Sequence, residues 1–154
     1  VAIDKLKKRY SNVEWKHPCI YLKNVTFIDT KFDNLVITYK NEKLVEATFT
    51  LFDNASVMDN PFKDRATILS EAKSKQNQIM NRFTQAFNGL GNAFCSKYGN
   101  PAVSSEGNAI WRDTNSNSIT LNVTLNNSQD ELGVHFDGIL TVTYRTATTN
   151  NDEF

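Results

Sequence analysis

The 154-residue sequence has little of what usually signals chemistry. It carries no net charge, because 17 Lys and Arg balance 17 Asp and Glu. That balance excludes both a strongly basic field for nucleic acid and an acidic solvating tail. Apolar runs extend only a few residues, so no stretch reads as a transmembrane helix. There are two cysteines, Cys19 and Cys95, with no metal-ligand spacing and no C-x-x-C motif. They read as two small buried hydrophobes, and a disulfide between them is the alternative. Of the two histidines, His135 lies two residues from Asp137 on a strand, so the pair points the same way, while His17 is distant in sequence. Two ligands do not make a metal site. G-x-S-x-G, H-E-x-x-H, a glycine-rich phosphate loop and a clustered carboxylate pair are all missing. The sequence therefore nominates no catalytic residue, no metal and no cofactor.

What is present is an apparent internal repetition. Lys8-Arg9-Tyr10-Ser11-Asn12 returns as Ser96-Lys97-Tyr98-Gly99-Asn100. The string from Ile20 to Phe27 returns, one residue shorter, from Ile119 to Leu125. The string from Phe32 to Lys40 returns, one residue longer, from Phe136 to Arg145. A tryptophan, Trp15 or Trp111, stands in the same gap each time. Blocks that keep their order while the gaps lengthen suggest a duplicated unit, because loops absorb insertions. The expected fold is α+β: a duplicated helix-plus-antiparallel-meander, with one long helix packed on one face of antiparallel sheet. Its organisation would be a single domain over 1–154, with repeats at 1–53 and 62–146, a linker at 53–61 and a frayed tail at 147–154.

Periodicity places the elements. Residues 2–10 read as a short helix, with Ile3, Leu6 and Tyr10 on one stripe. A strand over 19–27 shifts its apolar phase between Lys23 and Asn24, which predicts a β-bulge there. Strands follow at 33–40 and 43–52, joined by a turn at Asn41-Glu42. Asn60-Pro61 reads as a helix start, and the stripe Leu69, Ala72, Gln76, Ile79, Phe83, Phe87, Leu90, Phe94 predicts a helix over 62–98. Gly99 and Pro101 end it. After a loop at 102–108, strands are expected at 109–112, 118–126 and 134–146, the last presenting Phe136, Gly138, Leu140, Val142 and Tyr144 on one face.

Asparagine occurs 19 times, beside much threonine and serine, a composition common in extracytoplasmic bacterial proteins. The chain begins at Val1, consistent with a mature form from which a leader was removed. A helix followed by a meander, with Tyr98-Gly99-Asn100-Pro101 leading to Trp111, resembles the β-lactamase-inhibitor-protein-like fold and the small outer-membrane assembly lipoproteins related to it. It also looks like secreted or lipid-anchored proteins of gut Bacteroidetes. The resemblance implies an envelope-side or periplasmic protein that binds another protein through its sheet face or loops. A non-enzymatic protein-binding or envelope-assembly module is thus the expected function. The alternative is a small-ligand-binding protein or enzyme with a pocket between helix 62–98 and the sheet. Trp15, Trp111 and Arg112 are the candidate contact residues, since both tryptophans stand at strand entrances and hot spots favour aromatic and arginine anchors.

Overall fold

The structure, a computed structural model, describes residue 9 and residues 13–147. Apart from residue 9, the expected helix over 2–10 lies outside the described residues, as does most of the expected tail. Eight strands form one antiparallel sheet. They are β1 (Val13–Lys16), β2 (Cys19–Phe27), β3 (Thr30–Lys40), β4 (Lys43–Met58), β5 (Val103–Ser105), β6 (Asn108–Arg112), β7 (Ser118–Gln129) and β8 (Gly133–Arg145). Helix α1 (Arg65–Tyr98) connects β4 to β5. The order across the sheet is β1-β2-β3-β4-β8-β7-β6-β5, so the first and last strands of the sequence lie at the edge and the centre respectively.

This overturns the duplicated helix-plus-meander. With 53% of the described residues in strands and 26% in helix, they form one large sheet carrying one long helix. The matched blocks also fall on inequivalent strands. The Ile20 block is β2, second from one edge, whereas the Ile119 block is β7, third from the other. The Phe32 block is β3, and the Phe136 block is the central strand β8. Half-buried strands all alternate in the same way, so short I-x-L and V-T-Y strings matched without sharing a place. Residues 53–58, expected as linker, belong to β4, and the expected loop at 102–108 contains β5.

The helix starts three residues later than expected. Asn60 accepts from the Phe62 N–H at 2.9 Å and so makes a turn, while Asp64 caps the helix by accepting from Thr67 N–H at 2.7 Å. Gly99, at φ 81, closes the other end by donating to the Cys95 carbonyl at 2.9 Å. The buried stripe is Ile68, Ala72, Ile79, Phe83, Leu90 and Phe94. Ile68 takes the place expected for Leu69, which is exposed. This stripe packs on the inner faces of β4, β6, β7 and β8, against Leu51, Val57, Trp111, Leu121, Phe136, Leu140 and Val142. Each large side chain removed from water there contributes about 1.5–3 kcal/mol. A second cluster, Ile20, Leu22, Val25, Leu35 and Ile37, lies on β2 and β3. Cys95 is exposed rather than on the buried stripe, Cys19 is half-buried, and both are free thiols.

The predicted bulge at Lys23-Asn24 is replaced by a kink. Pairing of β2 with β3 keeps one register on both sides, Lys23 with Asn34 and Val25 with Phe32. Asn24 itself takes φ 56, a conformation asparagine tolerates. Both strands change phase together, so Leu22 and Val25 on β2 and Phe32 and Leu35 on β3 all stay buried. A register shift occurs instead between β3 and β4, at Thr38/Tyr39.

Gly138 on β8 faces the Phe83 ring, which is fully buried. A Cβ there would lie 2.7 Å from Phe83 Cε2 and 3.1 Å from Leu125 Cδ2. Gly138→Ala should therefore destabilise the fold by about 1–3 kcal/mol, as overpacking does. Phe83→Leu in the same chain should recover part of that loss. Urea denaturation of the two single variants and the double variant checks this, and additive losses would show that the close approach does not matter.

Candidate functional site

The sheet has two dissimilar faces. The face away from α1 carries side chains in rows that follow the strand register, with short polar groups at their centre. One row runs Val36, Thr48, Thr143, Thr120, Ile110, Val103. The next runs Asn34, Thr50, Thr141, Asn122, Asn108, Ser105. Thr48 and Thr143 hydroxyls lie 3.4 Å apart, and Arg145 grips Glu46 through two nitrogens at 2.8 and 2.9 Å. Among these polar rows stand a few exposed apolar groups: Tyr21, Val103, and the cross-strand pair Phe52 and Ile139, which are 45% and 39% exposed.

Of the candidate contacts, Trp111 belongs to the core. It is 3% exposed, its ring meets Phe94 edge-on at 5.3 Å, and its indole N–H donates to the Gly99 carbonyl at 3.1 Å. It therefore fixes the end of α1 and is withdrawn as a contact residue. Arg112 is exposed beside a notch of about 120 Å³ that Tyr98, Asn117 and Tyr144 also line. Trp15 pairs through its backbone with Ile20 on the edge strand β1. The two tryptophans thus sit near opposite ends of the sheet, and the structure does not bring them together.

A constellation missed in the sequence lies on the outer face where β4 meets β8. Ser56 Oγ is 2.8 Å from His135 Nδ1, and His135 Nε2 is 3.0 Å from Asp130 Oδ1. Asp130 also accepts from the N–H groups of Leu132 and Gly133 at 2.8 and 3.1 Å. The hydrogen bond from His135 is the main influence holding the Asp130 carboxyl below its usual range. His135 thus points to Asp130, not to Asp137, as its partner. The spacings of 79 and 5 residues carry no motif, so the arrangement could be found only from the Ser56–His135 cross-strand register. Ser56 and Asp130 are exposed, and none of the described clefts is lined by these three residues. As it stands the relay ties the β7–β8 turn to β4.

Two clefts bear on the ligand alternative. The cleft between α1 and the sheet, lined by Gln76, Ile79, Met80, Leu125 and Phe136, holds about 210 Å³. That is below the ~300–1,000 Å³ of typical small-molecule sites. A larger and more open cleft, about 410 Å³, separates the tip of the β2–β3 hairpin from α1 above Leu51. Among the described residues no group of three or more His, Cys, Asp or Glu could hold a metal ion. No described helix is long and apolar enough to cross a membrane.

Loops around the sheet are held by ionised carboxylates. Asp113 takes the Asn117 side-chain amide at 2.9 Å together with the N–H groups of Asn115 and Asn117, and the Asn117 amide does most to depress its pKa. Asp64 is likewise lowered, chiefly by Thr67. Groups whose folded pKa is depressed stabilise fully above the unfolded value, about 3.9 for Asp, and that stabilisation disappears as pH falls through the folded pKa. Denaturation midpoints should therefore be flat from neutral pH to about pH 5 and fall below pH 4. Asp113→Asn should make this acid decline shallower. An unchanged acid profile in that variant would dismiss the loop carboxylate as a contributor.

The chain matches no protein-family model, and no curated protein or solved structure is similar to it.

Proposed function

We propose that this chain is a non-enzymatic protein-binding module that works outside the cytoplasm, with the outer face of the sheet as its contact surface. The observation that carries this reading is the row pattern: a broad face of threonine, serine and asparagine, left uncovered by α1, around the exposed Phe52–Ile139 pair. Short side chains lose little rotamer freedom on contact and can both donate and accept hydrogen bonds. An apolar pair surrounded by such groups has the anatomy of an interface centre and its polar rim. The asparagine- and threonine-rich composition supports an extracytoplasmic setting, as does the resemblance to envelope proteins.

A second reading, a hydrolytic enzyme, is favoured by one observation. A hydroxyl, an imidazole and a carboxylate lie in hydrogen-bonded sequence at Ser56, His135 and Asp130, the signature of an activated nucleophile. Against it, Ser56 and Asp130 are exposed to solvent, and none of the described clefts is lined by the group. A fluorophosphonate probe separates the two readings. Labelling of Ser56 that disappears in His135→Ala would establish the enzyme, and an unlabelled Ser56 leaves the relay structural.

For the binding reading, a photo-crosslinking side chain at Ile139 should trap a defined protein in extracts of the source cells. The same group at Lys73, exposed on α1, should not. The Ile139 adduct should be lost in Phe52→Asp. Equal trapping from both sites, or from neither, would sink the proposal. Fractionation of the full-length gene product tests the compartment.

A further inference from the structure

We infer that the outer half of β4, residues 52–58, is a strand-addition site for an extended peptide segment that carries an acidic side chain. This site is the edge of the strand, distinct from the face discussed above, and it stands without that reading.

β3 pairs with β4 only as far as Asn34 and Thr50, whereas β8 pairs with β4 through Met58. Just past the last pair, the Asp33 carboxylate accepts the Phe52 N–H at 2.8 Å and ends the β3–β4 ladder with a side chain. Phe52 N–H therefore faces away from β8. By the alternation of an antiparallel ladder, the N–H and C=O groups of Asn54, Ser56 and Met58 face the same way. Among the described residues these groups receive one hydrogen bond, from Lys75 Nζ to the Ser56 carbonyl at 3.2 Å. Unpaired edges template strand addition, and proteins usually block them with proline, charge or a bulge. No proline stands in 52–58, and β4 keeps one register with β8 throughout it.

The surroundings select the occupant. α1 runs beside this edge and offers Lys75 and Arg82. Arg82 is neutralised by Asp53 at 2.7 Å, but Lys75 has no carboxylate within ion-pair distance among the described residues. A strand that takes the Ser56 carbonyl displaces Lys75, whose ammonium then lies over the side chains that face α1. An acidic side chain in that position replaces the lost bond with an ion pair. Near Leu51 the edge leads into the open cleft between the hairpin tip and α1, which can receive the end of the segment. A second copy fits less well. Stable dimers bury roughly 1,200 Å² or more in total, and this strip of seven residues, with α1 along one side and the hairpin at its end, falls short of that.

The test uses acetyl-Thr-Val-Glu-Val-Thr-amide as the probe, titrated into the whole ¹⁵N-labelled chain. The amides of Asn54, Ser56 and Met58 should shift and become protected from exchange. Binding should weaken at least about tenfold when the probe is N-methylated at alternate amides, or when its Glu is replaced by Lys. Lys75→Glu should reverse the preference and favour the Lys probe. Asn54→Pro removes an unused donor at an edge position where proline is tolerated. That variant should keep its melting temperature and lose the response, whereas an unfolded N54P leaves the Lys75 charge swap as the deciding measurement. Absence of shifts at the three amides overturns the inference. So does their protection by dimerisation without probe, which would identify a second copy, or a response confined to Thr120 and Thr143, which would favour the face alone.

Discussion

The pairing of β4 with β8 is the constraint on which the rest of the structure depends. Thirteen residue pairs, from Glu46 with Arg145 to Met58 with Gly133, join strands that lie on either side of the long helix in sequence. Without this ladder the chain has two separate four-stranded meanders, each with one apolar face still open. With it, the inner faces of β4, β8 and β7 form one floor, and α1 can bury a single stripe from Ile68 to Phe94 across it. The closeness of fit is visible at Gly138, where the helix ring of Phe83 meets the strand backbone and leaves no room for a methyl group. Sheet and helix therefore stabilise one another, and neither would persist alone, as is general for amphipathic elements.

How much of this was legible in the sequence follows from the range of each interaction. Local patterns were readable: the helix stripe through Ile79, Phe83, Leu90 and Phe94, its end at Gly99, the Asn41-Glu42 turn, and the inward face of β8. Which strands pair was not readable, because alternation is the same on every half-buried strand. That sameness produced the apparent repeat. Residues 53–58 looked like a linker because Asp53, Asn54 and Ser56 are turn-forming types. In the structure Asp53 is held by Arg82, 29 residues away, and Ala55 and Val57 keep the inward alternation. The Ser56–His135–Asp130 relay was hidden for the same reason, since it exists only once β4 and β8 are in register. Trp111 was misjudged from its neighbours: a tryptophan beside an arginine suggested a contact, but the indole lies under the end of α1.

Among the described residues no buried side-chain nitrogen or oxygen lacks a hydrogen-bond partner. The outer face consists of hydroxyls and amides that water or a partner can satisfy equally well, so exposing them costs little in the free protein. The β4 edge differs, because its donors and acceptors are directional and aligned. A face of short polar groups adapts to many shapes, whereas an open edge recognises one conformation, the extended strand. On the proposed reading, one sheet would combine a tolerant surface with a conformation-selective one.

The open edge itself has a physical cause in the aromatic cluster below it. To pair fully with β4, β3 would have to continue straight beyond Asn34, carrying the hairpin tip away from the core. Instead the hairpin bends at Asn24 and Asp33, and its tip brings Phe27 into a stack with Phe49 at 4.7 Å and to within 6.3 Å of Phe94, while Phe32 meets Phe49 at 5.3 Å. Phe32 becomes fully buried. Burying an aromatic side chain contributes about 1.5–3 kcal/mol, and a favourable ring pair adds about 0.5–1.5. The ladder bonds forgone are worth about 0.5–1.5 kcal/mol each, and their groups remain free to bond water. One of them is recovered by Asp33 on the Phe52 N–H. The turn at the tip has a cost of its own, since Ile28 takes φ 48 beside Asp29 at φ 60, as a two-residue hairpin turn requires, a conformation that disfavours a branched residue by about 1–2 kcal/mol. Two phenylalanines placed against two others outweigh these terms, so the hairpin folds inward and, among the described residues, the outer half of β4 is left without a strand on that side.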